Sequence, residues 1–389
     1  MTSADDKKHF EDYREQTQVK HDILAAYLRP YFNILKSRSN NLVYIDAFAG
    51  RGTYTRAETG DAVDGSPLRA LKLIAESDDL AKQVSTVFIE ADENLFNALK
   101  ATVDRFYQKH PHIRRPRCLN GTFAERVNQI LEIVKGSLAP TFLFVDPCGV
   151  RGNNFDTIRA VMECDKCEVF IFFNLDGIRR IAGLPALSPV LIELMGSNER
   201  AQALYSALRK TTHVGEREKF IIQHYRRALI EEIEANYIVT FRIEHEDQRK
   251  TSHCLIHATK HPLGFSIMKD VMWSRGRSED RQGALELAQR SRSSFIPLFD
   301  LSGEEVKQNI LEALKDGPLQ VGTFYKIWTQ RPEDLQCEGS YRKFLLELEA
   351  DLKIEVLSED LKHLKPAASR PRSKGKPTLA KQFYVRLPK

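Results

Sequence analysis

The sequence predicts an α/β protein in which a doubly wound parallel sheet precedes a smaller helical unit. Short apolar segments alternate with amphipathic segments between residues 42 and 174, a pattern typical of right-handed β–α–β crossovers. Two adjacent strand patterns, at 237–244 and 252–259, then break the alternation, and three helix patterns follow after residue 300. The chain of 389 residues, 42% of them hydrophobic, is also long enough for two domains.

Residues 1–41 are predicted to form an N-terminal helical segment. Apolar residues recur at three- and four-residue steps between Ile23 and Leu35, which gives one buried stripe. We expect this stripe to pack on the edge of the domain that follows.

The alternating region contains five strand patterns and the helix patterns that connect them. The strands are expected at 42–48, 84–91, 117–119, 141–145 and 168–174. The helices are expected at 68–75, 94–107, 123–135 and 155–162. A long helical stretch at 189–236, the two adjacent strands and a closing helix at 267–273 complete the predicted domain.

Five parallel strands followed by a hairpin have the strand count of the class I methyltransferase form of the Rossmann-like fold, whose last strand is antiparallel. Dehydrogenase-type sheets lack this hairpin, so the pattern favours the methyltransferase form. We expect this domain at residues 42–275. A linker is expected at 276–300, which is charged and poor in large apolar residues.

The remaining residues, 301–389, are predicted to form a winged helix-turn-helix. Helix patterns at 304–315, 321–329 and 340–352 precede strands at 354–357 and 382–387, and the loop between those strands would be a long basic wing. From residue 360 to the end there are nine Lys or Arg and one acidic residue, a charge that attracts phosphates. The candidate nucleic-acid-binding residues are Arg342, Lys343, Lys362, Lys365, Arg370, Arg372, Lys374 and Lys376.

The first strand pattern ends in the segment YIDAFAGRG at 44–52. Glycine at a strand-to-loop turn lets the backbone approach a ligand, so Gly50 and Gly52 are candidate cofactor-binding residues. Asp46 lies at the carboxyl end of the strand, where it could accept hydrogen bonds from the ligand. Phe48, between Asp46 and Gly50, is a further cofactor candidate.

Polar residues also end the second and third strand patterns. Glu90 is placed where a carboxylate would accept hydrogen bonds from both ribose hydroxyls of a nucleoside. Asp92 is a second cofactor candidate, and its alternative role is to cap the helix that begins near Asn94. Asn120 ends the third strand, where an adenine would lie.

The fourth and fifth strand patterns supply the candidate catalytic residues Asp146, Pro147 and Asn174. Asp146 follows a run of bulky apolar residues, so it would lie over the crevice where open α/β sheets bind ligands, and it is also a cofactor candidate. Amino-methyltransferases carry D-P-P followed by an aromatic residue here. This chain has Asp-Pro-Cys-Gly, so Gly149 supplies no stacking surface, and the alternative role of Asp146 is a structural turn residue.

Taken in order, these segments resemble the three-Cys-motif partner family of bacterial proteins. The resemblance rests on the helix at 20–35 and on YIDAFAGRG at 44–52, GSPL at 65–68, FIEAD at 88–92, FVDPCG at 144–149 and FFNLDGIRR at 172–180. It implies a methyltransferase-like protein with an S-adenosylmethionine pocket at Asp46, Gly50, Gly52, Glu90 and Asp146. It also implies a radical-enzyme-like partner that carries the three cysteines. Arg51 departs from the proline expected in that family.

No metal site is expected, because only Cys164 and Cys167 have ligand-like spacing and no second pair accompanies them. No window reaches eighteen consecutive apolar residues, and the first thirteen residues are too charged for a secretory signal, so a cytoplasmic protein is expected.

Three functions remain open from the sequence. The first hypothesis is an S-adenosylmethionine-dependent methyltransferase that acts on nucleic acid. The second is a catalytically reduced relative that binds nucleic acid or a partner protein. The third is a metal-dependent nuclease in which Glu90, Asp92 and Asp146 converge on magnesium.

Overall fold

The computed structural model describes residues 15–55, 60–211, 213–244, 251–275, 303–331, 336–373 and 375–388. In the larger part of the chain the strands are β1 (Leu42–Asp46), β2 (Thr53–Thr55), β3 (Ala62–Asp64), β4 (Val84–Glu90), β5 (Arg117–Asn120), β6 (Thr141–Val145), β7 (Glu168–Asn174), β8 (Tyr237–Glu244) and β9 (Thr251–Thr259). The first helices are α1 (Glu15–Leu35), α2 (Ser66–Ala75), α3 (Asp78–Gln83), α4 (Glu93–Lys109), α5 (Phe123–Ile133) and α6 (Phe155–Met162). They are followed by α7 (Leu175–Ala182), α8 (Pro189–Met195), α9 (Asn198–Arg209), α10 (Val214–Ile233) and α11 (Pro262–Arg275).

Seven of these strands form one mixed sheet in the order β5-β4-β1-β6-β7-β9-β8. The first five strands of that order are parallel, whereas β9 runs antiparallel to β7 and β8 antiparallel to β9. The strand order changes direction at β1, which has β4 on one side and β6 on the other. The sheet therefore resembles the class I methyltransferase form of the Rossmann-like fold, with a switch point beside β1.

Helices cover both faces of the sheet because its central strands are apolar on both sides. All five residues of β6 are buried, as a parallel strand inside an α/β domain requires. Leu143 and Val145 pack in the same core as α6, α7 and α10, whereas Phe142 and Phe144 pack in the same core as α1, α2 and α11.

Helix α1 crosses the sheet and contacts polar groups near both ends of the strands. Near its N-terminus Lys20 lies beside Asp146, which follows β6. Seven residues further on, the Tyr27 hydroxyl donates to Glu168 Oε2 over 2.5 Å. His257 Nε2 lies 2.9 Å from the same oxygen. The predicted apolar stripe of this helix is therefore buried against the sheet rather than only at its edge.

The strand predictions agree with the structure within a few residues, and the helical stretch at 189–236 differs most. It consists of three helices, α8, α9 and α10. Helix α8 ends because Gly196 adopts a φ of 69°, and a Cβ there would lie 2.4 Å from the Phe155 ring. Helices α3 and α7 and the short hairpin β2–β3 are additions that the sequence pattern does not predict.

The C-terminal part has a separate apolar core. Its helices are α12 (Gly303–Ala313), α13 (Val321–Trp328) and α14 (Glu338–Ala350). Its strands are β10 (Leu319–Gln320), β11 (Glu355–Leu357), β12 (Arg372–Ser373), β13 (Lys376–Pro377) and β14 (Tyr384–Arg386). They form a three-stranded sheet in the order β10-β14-β11 and a separate hairpin of β12 and β13. The core contains Val306, Ile310, Phe324, Leu345 and Val385. The sequence predicts two strands here, and the structure adds β10 as a third in their sheet.

The C-terminal part contacts helix α11. The Glu338 backbone N–H donates to Asp270 Oδ1 over 3.1 Å, and a Cβ on Gly339 would lie 2.7 Å from Nε1 of Trp273. The predicted linker at 276–300 and residues 1–14 of the N-terminal segment lie outside the described residues. Within the described ranges, no helix is both long and apolar enough to cross a membrane.

Candidate cofactor and acceptor site

The five parallel strands bring a row of polar residues to one edge of the sheet. In spatial order, the strand ends carry Asn120, Glu90, Asp46, Asp146 and Asn174. Asp46 pairs in register with Phe88 and Phe144 on its two neighbours, so the three central strands end at nearly the same level. The row lies at the carboxyl edge of an open α/β sheet, on both sides of the switch point, where such sheets bind ligands.

Glu90 links the ends of β1 and β4. Its Oε2 accepts a hydrogen bond from the Gly50 backbone N–H at 2.9 Å, and its Oε1 accepts one from the Asp92 backbone N–H at 2.9 Å. Burial raises the pKa of the carboxyl, and these hydrogen bonds oppose the shift. A carboxylate has about four lone-pair sites, so Glu90 keeps acceptor capacity for further donors such as a ribose diol.

The loop after β1 is shaped by glycines in the left-handed region. Gly50 has a φ of +58° and Gly52 a φ of +81°. A Cβ on Gly50 would have no heavy atom within 4 Å, so there is open space above this turn. The Gly65 N–H donates to the Gly52 carbonyl at 3.0 Å, and a Cβ on Gly65 would lie 2.9 Å from that oxygen. The segment GSPL therefore supports the turn by close backbone contact.

Asp46 is fully buried, so the expectation that it offers its oxygens to a ligand needs correction. Its Oδ1 accepts from the Phe48 N–H at 3.3 Å, its Oδ2 lies 3.5 Å from the Tyr44 hydroxyl, and Ser66 hydrogen-bonds the same carboxyl. Burial raises the pKa of Asp46 to about 7. Asp46 therefore stabilises the loop that follows β1 from inside the fold.

Asp146 forms a buried ion pair with Lys20. The two charged groups are 2.5 Å apart, and their side chains are 6% and 11% exposed. The Lys20 ammonium also lies 4.4 Å from the centroid of the Phe172 ring. Burial raises the pKa of Asp146, and the charge of Lys20 opposes this shift. The Asp146 end of the crevice is therefore closed by the N-terminal helix.

Lys20 is a site residue that the sequence pattern does not predict. It is separated from Asp146 by 126 positions in the sequence. A sequence feature that could have indicated it is its spacing from Ile23, Leu24 and Tyr27, because residues three, four and seven positions apart share one helix face. A lysine on a buried stripe needs a partner, and Asp146 supplies it.

Three further candidates cap helices or hold the backbone. The Asp92 side chain accepts from the backbone N–H groups of Asn94 and Leu95, at 2.9 and 3.0 Å, and so caps α4, which is its alternative role. Asn174 Oδ1 accepts from Gly177 N at 2.7 Å and caps α7. Asn120 Nδ2 donates to the Glu90 carbonyl at 3.0 Å.

Two apolar candidates line the same edge of the sheet. The Phe48 ring is half-buried and packs on Phe123, with ring centroids 5.9 Å apart. Pro147 is buried directly after Asp146. Both side chains shape the crevice through packing.

The basic candidates of the C-terminal part are not equivalent. Arg370 is only 4% exposed and is ion-paired with Glu349, so its guanidinium is already engaged inside the fold and the prediction for this residue is wrong. Lys362 and Arg372 are exposed, whereas Lys365 is half-buried. On α14, Arg342 lies 2.9 Å from Glu338 and Lys343 lies 3.9 Å from Glu347. Lys374 and the side chain of Lys376 lie outside the described residues.

In the part of the chain that the structure describes, no three His, Cys, Asp or Glu side chains are grouped closely enough to hold a metal ion. Glu90, Asp92 and Asp146 therefore do not converge as the nuclease hypothesis required. Cys164 and Cys167 are buried, and the Cys164 thiol lies 3.0 Å from the Gly136 carbonyl.

Comparisons with known proteins give distant structural likenesses. No protein-family model matches the sequence, and no curated protein matches it. The fold is similar to protein LPL1258 from Legionella pneumophila, at 12% identity and a TM-score of 0.38, over 66% of this chain and 92% of that chain. It is also similar to an O-methyltransferase from Bacillus cereus solved with SAH, at 12% identity and a TM-score of 0.32, over 65% of this chain and 86% of that chain. At these values the likenesses carry no argument about the reaction, and the resemblance to the three-Cys-motif partner family stays a prediction.

Proposed function

We propose that this protein is an S-adenosylmethionine-dependent methyltransferase that acts on nucleic acid. The observation that carries the proposal is the Glu90 carboxylate at the switch point, held by the N–H groups of Gly50 and Asp92 at 2.9 Å each. A carboxylate fixed in this way would accept hydrogen bonds from both hydroxyls of a ribose and would repel a ribose phosphate. A Cβ built on Gly50 would have no heavy atom within 4 Å, so the backbone of this turn is open to a ligand.

The residues proposed to hold the cofactor are Glu90, the Gly50–Gly52 turn and Asn120. When bound, S-adenosylmethionine would supply the methyl group as part of a sulfonium ion. The protein's contribution would be to align the acceptor and to exclude water, so a strong nucleophile or base is not required. Asp146 would orient the acceptor once its carboxylate separates from Lys20.

The acceptor and the partner belong to the same proposal. The C-terminal part, with three helices and a small antiparallel sheet, is proposed to act as a winged helix that contacts nucleic acid, and its exposed Lys362 and Arg372 would meet phosphates. A three-Cys-motif protein is proposed as partner on the family resemblance alone.

One observation favours a second function, a catalytically reduced protein that binds the cofactor or nucleic acid without methyl transfer. The Asp146 carboxylate is engaged by Lys20 at 2.5 Å and is nearly buried. A carboxylate held by an ammonium group is a poor partner for an incoming amine. If the pair stays closed when ligands bind, the acceptor residue is not free to act.

Calorimetry with S-adenosylmethionine on the wild type and on Glu90→Gln tests the proposal. A glutamine amide group cannot accept from the Gly50 and Asp92 N–H groups together, and it offers a weaker acceptor to the ribose. Losing charge-assisted hydrogen bonds worth about 1.5–3 kcal/mol corresponds to a Kd about 10- to 150-fold higher. Glu93→Gln is the matched control, because Glu93 is exposed in the first turn of α4 and loses the same charge.

Absence of binding by the wild type would overturn the proposal, as would equal affinities for the two variants. Transfer of a tritiated methyl group to DNA or RNA separates the two functions. Binding without transfer would favour the catalytically reduced protein.

A further inference from the structure

A wide cavity of about 680 Å³ lies beside the candidate site, at helix α7. It is lined by Asp176, Arg179, Arg180, Gly183, Leu184, Val214 and Arg217. Helix α7 begins directly after Asn174, at the carboxyl edge of the sheet. Its first turn packs against the loop that follows Asp146, since a Cβ on Gly177 would lie 2.4 Å from the Val150 side chain. The cavity therefore lies along a helix that begins at the edge of the sheet where the acceptor position is proposed.

Two acidic groups near the cavity, Asp176 and Glu218, are already paired with arginines of the protein. Arg179 forms an ion pair with Asp176, and its Nη1 lies 3.7 Å from Oε2 of Glu218. Arg242 lies 3.4 Å from the same glutamate. The side chains of Arg179 and Glu218 are only 9% and 6% exposed. This network neutralises the local carboxylates and holds Arg179 in place at the cavity wall.

Two further arginines at the cavity are not neutralised in this way. Arg180 is exposed, and neither it nor Arg217 takes part in an ion pair with any residue that the structure describes. The Nε of Arg217 is buried and has no hydrogen-bond partner within the described ranges. An anion in the cavity would therefore meet the terminal nitrogens of these guanidinium groups, which can form charge-assisted hydrogen bonds with its oxygens.

The chemistry of the lining suits an oxyanion such as phosphate and does not suit a stacked base. Guanidinium groups bind phosphate oxygens in a bidentate manner. The apolar lining consists of aliphatic side chains, Leu184 and Val214, which are 47% and 48% exposed. None of the lining residues in the described part of the chain has an aromatic ring on which a base could stack. Contacts of this kind would position a nucleic-acid strand without reading its sequence.

The position of Arg180 along α7 also suits a nucleic-acid strand that enters the site. Arg180 follows Asn174 by six residues, which corresponds to about 9 Å along the helix axis. We propose that this arginine cleft, in which Arg180 and Arg217 supply the charge and the ion-paired Arg179 forms part of the wall, binds the phosphodiester backbone of single-stranded nucleic acid beside its methyl-accepting nucleotide. This inference rests on the proposed methyltransferase function and names how its acceptor is held.

The test is fluorescence anisotropy of the full chain with labelled single-stranded DNA and RNA of the same sequence, over a range of salt concentrations. Arg180→Ala combined with Arg217→Ala should weaken binding about 10-fold or more at low salt. The slope of log affinity against log salt should become shallower by about 0.7 for each phosphate that the variant no longer neutralises. Arg180→Glu gives a second variant that changes only an exposed side chain. Arg227→Ala, on the same helix as Arg217 but exposed and paired with Glu231, is the matched control.

The outcomes separate this proposal from the proposed function. Unchanged binding and salt slope in the double variant and in Arg180→Glu would overturn the arginine cleft, as would an equal loss in Arg227→Ala. Failure of the wild type to bind either oligonucleotide would overturn it as well. Competition by adenosine monophosphate as strong as that by an oligonucleotide would point to a small phosphate ligand and against a strand. Calorimetry with S-adenosylmethionine reports on the cofactor site independently, and the double variant should bind the cofactor like the wild type.

Discussion

Replacing Lys20 with methionine should destabilise the protein, because it leaves the Asp146 carboxyl buried without its partner. The charged groups are 2.5 Å apart and their side chains are 6% and 11% exposed. Removal of one member of a buried ion pair typically costs about 3–5 kcal/mol. Burial already raises the pKa of Asp146, so the carboxyl can take up a proton when Lys20 is gone. Because this protonation removes the buried charge, the expected loss in free energy of unfolding at neutral pH is only about 2–4 kcal/mol.

A double-mutant cycle measures the pair directly. Lys20→Met, Asp146→Asn and the double variant would be unfolded with urea and followed by circular dichroism at pH 7 and at pH 5. The coupling energy should be about 1–3 kcal/mol. The loss in Lys20→Met should shrink at the lower pH, because the unpaired carboxyl is then protonated in the folded protein.

Lys36→Met is the control for this cycle. Lys36 follows the C-terminal end of the same helix and lies 3.2 Å from Asp79, but the side chains of that pair are 29% and 68% exposed. A pair of this kind contributes about 0–1 kcal/mol. Equal losses for the two lysine variants, or additive effects of Lys20→Met and Asp146→Asn, would refute the reasoning.

Two other predictions concern side chains whose expected roles the structure changed. The pKa of Asp46 is about 7 in the folded protein and about 4 in an unfolded chain. Between about pH 4 and pH 7, unfolding therefore releases a proton from this carboxyl. The residue thus destabilises the folded state as the pH rises through this range. The free energy of unfolding of Asp46→Asn relative to wild type should therefore increase with pH, by about 1.4 kcal/mol per pH unit between about 4 and 7, and parallel pH profiles would contradict this. Arg370→Met leaves Glu349 unpaired in a site where its side chain is 11% exposed. It should lower the free energy of unfolding by about 3–5 kcal/mol while leaving the salt dependence of nucleic-acid binding unchanged, whereas Arg372→Met should have the smaller effect on stability.

The ends of the parallel strands could be predicted because their pattern is local. Each strand is a short apolar run, and the polar residue that ends it, such as Glu90 or Asp146, is visible in the sequence. Parallel strands end at one edge, so the polar row follows from the fold class. The hydrogen bond between Glu90 and Gly50 adds what the pattern alone could not give, because the two residues are 40 positions apart.

The roles of individual side chains at that edge depend on distant parts of the chain. Asp46 has the sequence position of a ligand-binding residue, but Tyr44 and Ser66 enclose it. Lys20 closes on Asp146 from a helix at the start of the chain. Arg370 lies among other basic residues in the sequence, a pattern that predicts a solvated wing. In the structure it is buried in an ion pair with Glu349. Composition and periodicity do not encode such pairings.

Helix α1 also has a consequence for the order in which the chain assembles. Asp146 and Glu168, to which Lys20 and Tyr27 bind, follow those two residues in the chain by 126 and 141 positions. Contacts of such separation form slowly, because the intervening chain must first be brought together. Part of the surface that the apolar stripe covers comes from Phe142 and Phe170, so that surface is complete only when β6 and β7 have paired. This helix is therefore expected to dock late in folding, and until then its exposed apolar face favours aggregation.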